Sequence, residues 1–374
     1  MVLEDGVQIG IFGMDLTESK GKQVLFQTGV VGSLPRPQPV QDMLSENPGL
    51  QSVGNTRSHQ MDAAVGYAIA VQEMAGLDLV SDGEWRRHAY THIIADIADG
   101  FSSDTRTDLP RWGITITDRL EVSRPGLIAE EARFLVASTD KATKVCLPSP
   151  YLLGERLWEK EFSSKAYPTR ELFIDALVPI LRQELLALRD TGVSVVQIDE
   201  PHLCVLVDPK VRANFSDPLY EMDLAADKIN EIIDGIDGVQ LALHLCRRNW
   251  GRRGWGAEGD YQSIIDTIKK IKVDQYVMEF SIPAAGDLAI LKQLPEDSLI
   301  GLGCVDCRFE EIDTPEQIVA RVENAMKHVD KERISLNPDC GFAPAFTFEL
   351  PLEEAYAKLR NEVKAADLLR EKYG

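Results

Sequence analysis

Short apolar runs alternate along this chain with longer stretches in which apolar residues recur every three or four positions. A run of four to eight apolar residues between turn formers reads as a buried strand, and a 3.6-residue period reads as an amphipathic helix. Strands are therefore expected at Gln27–Val31, Leu77–Val80, Lys144–Leu147, Val193–Ile198, Gln240–Leu245, Gln275–Phe280, Ser298–Gly303 and Ile334–Leu336. Helical patterns cover Arg57–Met74, Arg170–Arg189, Met222–Ile236, Tyr261–Ile271, Pro315–His328 and Leu352–Leu369. In the second of these, Leu177, Ile180, Leu181, Leu185 and Leu188 form an apolar stripe, and Glu184 falls inside it with no account from the pattern. Eight β/α alternations without a long linker predict an α/β fold, one (β/α)8 TIM barrel over residues 1–374, with a doubly wound sheet as the alternative.

One stretch breaks the rhythm. About residues 85–143 are too many for a simple connection and contain His92–Ile97, the alternating Ile114–Thr117, and Ala129–Ser138. They are expected to form an inserted helix and hairpin after the second strand, over the barrel mouth. Residues 1–25 read as an N-terminal extension.

Composition narrows the partners. The net charge of −20 argues against nucleic acid or an anionic membrane as the main partner. No run of about 18 apolar residues suggests a membrane span, and no export signal is evident at the N-terminus. Six cysteines then read as reduced thiols in a cytoplasmic protein, available for metal or catalysis.

In a barrel the C-terminal ends of the strands carry the chemistry. Those ends here hold Ser33 and Arg36, Asp82 and Glu84, Asp199, Glu200 and His202, His244 and Cys246, Glu279, Asp306, and Cys340. His244 and Cys246 are two apart in a strand, so they project to one face. With Cys340 and the carboxylate of Glu279 they make a zinc-compatible set drawn from three strand ends. The segment Cys246–Trp255 adds four arginines, among them Arg247 and Arg248 beside Trp250, a grip for an anionic second substrate or a solvated loop paired with the protein's own acids. Cys304 and Cys307 form a C-x-x-C without a second pair, and Cys146 and Cys204 read as core or near-core thiols.

Taken in order, Val31-Gly32-Ser33-Leu34-Pro35-Arg36, Asp82-Gly83-Glu84, Gln197-Ile198-Asp199-Glu200-Pro201, His244-Leu245-Cys246, Met278-Glu279 and Asn337-Pro338-Asp339-Cys340-Gly341 resemble the catalytic C-terminal barrel of cobalamin-independent methionine synthases. The resemblance runs from about residue 26 to 345. It implies zinc on His244, Cys246, Glu279 and Cys340, and amino-acid contacts from Ser33, Glu84 and Asp199. It also implies methyl transfer to homocysteine, with zinc activating the thiol. His202 stands nearby as an acid/base group. A zinc hydrolase or lyase, or alkyl transfer to another thiol as in the related epoxyalkane–coenzyme M transferases, are the alternatives. Two departures bear on the methyl donor. The chain has no room for the second barrel of the full-length enzymes. Asp306-Cys307-Arg308 stands where the family carries Asp-x-His, whose His assists proton delivery to folate. A corrinoid, perhaps on a carrier protein, or another activated alkyl donor then competes with methyltetrahydrofolate.

Overall fold

The computed structural model describes residues 24–45, 58–103, 113–343 and 350–374. Most of the expected N-terminal extension and the start of the first expected helix lie outside them. The main sheet has seven parallel strands: β1 (Leu79–Val80), β4 (Ala142–Pro148), β5 (Val195–Asp199), β6 (Gln240–Leu245), β7 (Gln275–Glu279), β8 (Leu299–Val305) and β9 (Ile334–Pro338), neighbours in that order. The segment expected as the first strand makes only single bridges. Thr28 pairs with Leu336 of β9 and Gly29 with Leu79 of β1, so this short segment meets both edges of the curled sheet. Asp78 holds it there by accepting from the Thr28 amide at 2.9 Å.

Between β1 and β4 lie a helix Ile93–Ile97, an antiparallel pair β2 (Ala98–Ser102) and β3 (Thr115–Val122), and a helix Leu127–Ala137. The parallel strands are followed by helices such as Arg170–Arg189, Pro218–Ile233, Pro315–Ala325 and Leu352–Tyr373. One expected helix is largely absent: Tyr261–Ile271 contains a 3-10 turn at Tyr261–Ser263 and four helical residues, Ile265–Ile268. Ile264, at φ −123°, interrupts the pattern. The Tyr261 hydroxyl donates to the Leu245 carbonyl at 3.1 Å and accepts from the Glu279 amide at 2.9 Å. These tertiary bonds at the ends of β6 and β7 override the local helical period.

Both faces of the sheet are buried, with different content. Val196, Ile198, Leu241, Leu243, Leu245, Tyr276, Met278, Ile300 and Leu302 belong to the main apolar core. The alternate positions carry a second, smaller cluster of Val31, Leu79, Val195, Ala242 and Val277. Two residues further along the same face come Ser33, Gln197 with Asp199 beyond it, His244 and Glu279. The period-two geometry of strands thus places small apolar residues deep on this face and polar ones at the C-terminal ends. Glycine makes room there: a Cβ on Gly303 would lie 2.6 Å from Oδ1 of Asp339.

The structure accounts for Glu184. Its carboxylate accepts the backbone amides of Gly126 and Ile128, the latter at 3.1 Å, at the N-terminus of the helix Leu127–Ala137. A buried acid in an apolar stripe is here a cap on a neighbouring helix, aligned with that helix's dipole. Glu184→Ala should lower stability by about 1–3 kcal/mol, because it leaves these amides unsatisfied. Urea midpoints of the two proteins measure this, and an unchanged midpoint would remove the capping role.

Candidate active site

The strand-end face brings three metal-compatible groups together. One donor atom each from His244, Cys246 and Cys340 lies within 4.8 Å of the other two, and all three residues are buried. The sulfurs of Cys246 and Cys340 are 3.5 Å apart, and both cysteines are free thiols. Neither ring nitrogen of His244 has a hydrogen-bond partner. A buried imidazole with both nitrogens unsatisfied is costly unless something else binds it. The hydrogen bond from Cys340, aided by the nearby His244, holds the Cys246 thiol far below its usual range, whereas the same contact pushes Cys340 up. One imidazole and two sulfurs are a donor set suited to a thiophilic divalent metal.

Glu279 stands apart from this trio. One carboxylate oxygen accepts from Nη2 of Arg308. The other accepts from the Arg247 amide at 2.8 Å and from Arg247 Nη1 at 3.3 Å. All three side chains have no exposed surface. Arg308 also reaches Asp339 at 3.4 Å and the Arg248 carbonyl at 3.1 Å. Arg247 donates from Nε and Nη2 to the Gly259 carbonyl, with its guanidinium 4.3 Å from the Tyr261 ring centre. Arg247 is therefore engaged inside the protein rather than presented to an anionic substrate. Breaking such a buried pair costs about 3–5 kcal/mol, since it strands a charge.

A second cluster lies alongside. Glu84, Cys146 and Asp199 bring one polar atom each within 4.8 Å of the others, all buried. Asp199 is opposite His244 in the β5–β6 register, which joins the two clusters. Gln197 donates to Asp199 Oδ1 at 2.8 Å. Burial pushes Asp199 up to about 6, with His244 and the Gln197 hydrogen bond acting against it. Burial likewise pushes Glu84 up to about 7, opposed by Arg87 and reinforced by Asp199. Glu84 sits at φ 57°, a left-handed conformation uncommon outside glycine, fixed by its amide donating to Asp82 at 2.9 Å. Its Oε2 has no hydrogen-bond partner. A Cβ on Gly32 would come within 2.5 Å of Glu84 Oε1 and 2.7 Å of Cys146 Sγ, so glycine is required there.

The family model of the catalytic domain of cobalamin-independent synthases matches residues 26–368. The chain belongs to that family. A methionine synthase from Pyrococcus horikoshii is 30% identical over 359 residues, covering 92% of this chain and 93% of the relative. One from Thermococcus kodakarensis is 29% identical, covering 92% and 94%. Among solved structures, a B12-independent methionine synthase from Shewanella sp. W3-18-1, in complex with selenomethionine, superposes with a TM-score of 0.73 at 22% identity, covering 93% of this chain and 98% of its own.

Within this family member, the remaining expected site residues divide into supports and mouth residues. Ser33 binds the loop after β9, accepting the Ala343 amide at 3.2 Å on Oγ and the Phe342 amide at 2.9 Å on its carbonyl. Arg36 spends its guanidinium on the carbonyls of Ala343, Glu84 and Arg87, at 2.9, 2.8 and 2.9 Å. It ties loops together, and burial lowers it to about 10. His202 lies on a short helix, Pro201–Cys204, with Arg156 Nε 3.1 Å from its Nε2 and Arg248 Nη2 3.3 Å from the same atom. Trp250 is 44% exposed. Arg252 pairs with Glu354. Cys304 and Cys307 are buried, and among the described residues neither joins a metal-compatible group. Arg308, the departure from Asp-x-His, faces Glu279 and Asp339.

Two members of the site were missed from sequence. Cys146 read as a core thiol, although its place two residues after Lys144 puts it on the polar face of β4. Tyr90 carried no motif. Burial pushes its hydroxyl above the ordinary range, opposed by Arg156 and reinforced by Cys246, Asp199 and Cys340, so it lies near both clusters.

The raised value of Glu84 gives a sign-definite expectation. Its unfolded form ionises near 4.5 and its folded form near 7. Stability is therefore lost as pH rises through this window, because the unfolded chain gives up the proton first. Glu84→Gln removes the penalty. The variant should match the parent below about pH 4.5 and exceed it by about 1–3 kcal/mol above pH 7. Denaturant midpoints at pH 5 and pH 8 test this, and a variant less stable at pH 8 would contradict it.

Proposed function

We propose that this protein is a zinc-dependent S-methyltransferase that converts homocysteine to methionine. The reading includes a single (β/α)8 barrel, with the Thr28–Gly29 segment as its eighth stave and about residues 85–143 inserted over the mouth. The observation that carries it is the adjacency of two incompletely satisfied buried clusters. A trio of one imidazole and two sulfurs adjoins a pair of carboxylates, and an amino acid with a side-chain thiol has one group for each. Family membership and the methionine synthases among the relatives support the same chemistry.

His244, Cys246 and Cys340 would hold the metal; the unpartnered His244 nitrogens and the paired sulfurs fit it. Zinc supplies deprotonation of the bound thiol at neutral pH while keeping the sulfur nucleophilic. Glu84 and Asp199 would take the substrate ammonium, which draws both carboxyls into their ionised forms. The unpartnered Oε2 of Glu84 is an acceptor available for it. Backbone amides near Ser33 would meet the substrate carboxylate. The burial of both clusters excludes water, which strengthens each of these contacts.

Arg308 bears on the donor. Its guanidinium is engaged with Glu279, Asp339 and the Arg248 carbonyl, and an arginine does not act as a general acid near neutrality. Methyltetrahydrofolate needs a proton on its leaving nitrogen, whereas a corrinoid does not. The proposed donor is therefore a corrinoid-bound methyl group, presented at the mouth near Arg248 and Trp250. Localisation in the cytoplasm accords with the reduced thiols, and no described helix is long and apolar enough to cross a membrane.

Purified protein should hold about one zinc per chain, and Cys246→Ser or Cys340→Ser should lose it with the fold retained. Elemental analysis with circular dichroism checks this, and full occupancy in both variants would refute the ligand assignment. Asp199→Asn should weaken homocysteine binding by about 1–3 kcal/mol without changing zinc content. Titration calorimetry measures it, and unaltered affinity in both Asp199→Asn and Glu84→Gln would point to another thiol. Turnover should be faster with methylcobalamin than with methyltetrahydrofolate, and efficient turnover with folate alone would overturn the donor assignment.

A further inference from the structure

Glu279 ends β7 in the same strand-end row as His244, yet both its oxygens face guanidinium groups. Those groups are themselves held by other acceptors. Arg308 binds Asp339 and the Arg248 carbonyl, and Arg247 binds the Gly259 carbonyl through two nitrogens. The Glu279 amide is fixed as well, donating to the Tyr261 hydroxyl at 2.9 Å. No side chain among Glu279, Arg247, Arg308 and Asp339 has more than 1% of its surface exposed.

Formal charge separates this network from the trio. Two arginines balance Glu279 and Asp339, while a divalent ion balances the thiolates of Cys246 and Cys340. Each group is neutral by itself. Moving the Glu279 carboxylate to the ion would give one group an excess negative charge and leave the other with an unpaired buried guanidinium. In a low-dielectric interior both changes are unfavourable.

We propose that Arg247 and Arg308 withhold Glu279 from the metal, so that the protein supplies three ligands, His244, Cys246 and Cys340, and leaves the remaining coordination to the substrate thiolate. Glu279 is then a positioning residue for Arg247 and Arg308, and thiol binding displaces no carboxylate. The proposal rests on the metal reading above.

The direct test is a crystal structure of the zinc-loaded, substrate-free wild-type protein. The expected result is zinc on His244, Cys246 and Cys340, with Glu279 still hydrogen-bonded to both arginines. A Glu279 oxygen at about 2.0–2.2 Å from zinc would overturn the proposal. Zinc absent from the trio would overturn the metal reading itself, a distinguishable failure that removes this proposal with it. Chelator competition gives a second readout. Glu279→Gln should change zinc affinity by less than about tenfold, within what a group outside the ligand shell contributes. A loss as large as that of Cys340→Ser would make Glu279 a ligand and refute the proposal.

Discussion

Arg247 follows β6, Glu279 ends β7, Arg308 follows β8, and Asp339 follows β9. The ion network among them therefore joins the C-terminal ends of four consecutive strands, without solvent contact. Its position decides more than stability. Arg247 is the neighbour of Cys246 and Asp339 the neighbour of Cys340, so the charges that satisfy one another also set where the two sulfurs stand. Asp339 is further fixed by accepting the Phe280 and Ser281 amides at 3.1 and 3.0 Å. A soft-metal site needs its sulfurs placed before the metal arrives, and a buried network that tolerates no unpaired member provides that rigidity.

The adjoining carboxylates obey the opposite rule. Glu84 and Asp199 are buried without a matching cation of their own, and burial raises both. The strained backbone at Glu84 adds to the cost. Such costs persist where the surrounding structure compels them, and the compulsion is visible: Arg36 staples the loops after the first segment, after β1 and after β9 into one rim. The pocket is complementary to a positive group that the protein does not contain, which is the arrangement expected of a binding site for an ammonium.

Much of this was legible in sequence because strand geometry is simple. The two-residue spacing of His244 and Cys246 showed their common face, and Asn337–Gly341 after an apolar run placed Cys340 at another strand end. What could not be read was partner choice. Arg247 and Arg308 looked like surface or pocket cations, since arginine is seldom fully buried, and nothing local in the sequence links Arg308 to Glu279, 29 residues away. The first expected strand shrank to two bridges, and the helix expected at Tyr261 was pulled apart by contacts with β6 and β7. Glu184 had no sequence rationale because the helix it caps lies 56 residues earlier. In each case a tertiary hydrogen bond or ion pair overrode a local pattern.

The central claim is that the trio of His244, Cys246 and Cys340 exists to hold a metal that takes a substrate thiol. Zinc K-edge X-ray absorption of the loaded protein, before and after homocysteine, tests it most directly. The account predicts two sulfur neighbours at about 2.3 Å in the resting protein and three after homocysteine is added. A sulfur count that stays at two at saturating homocysteine would contradict it.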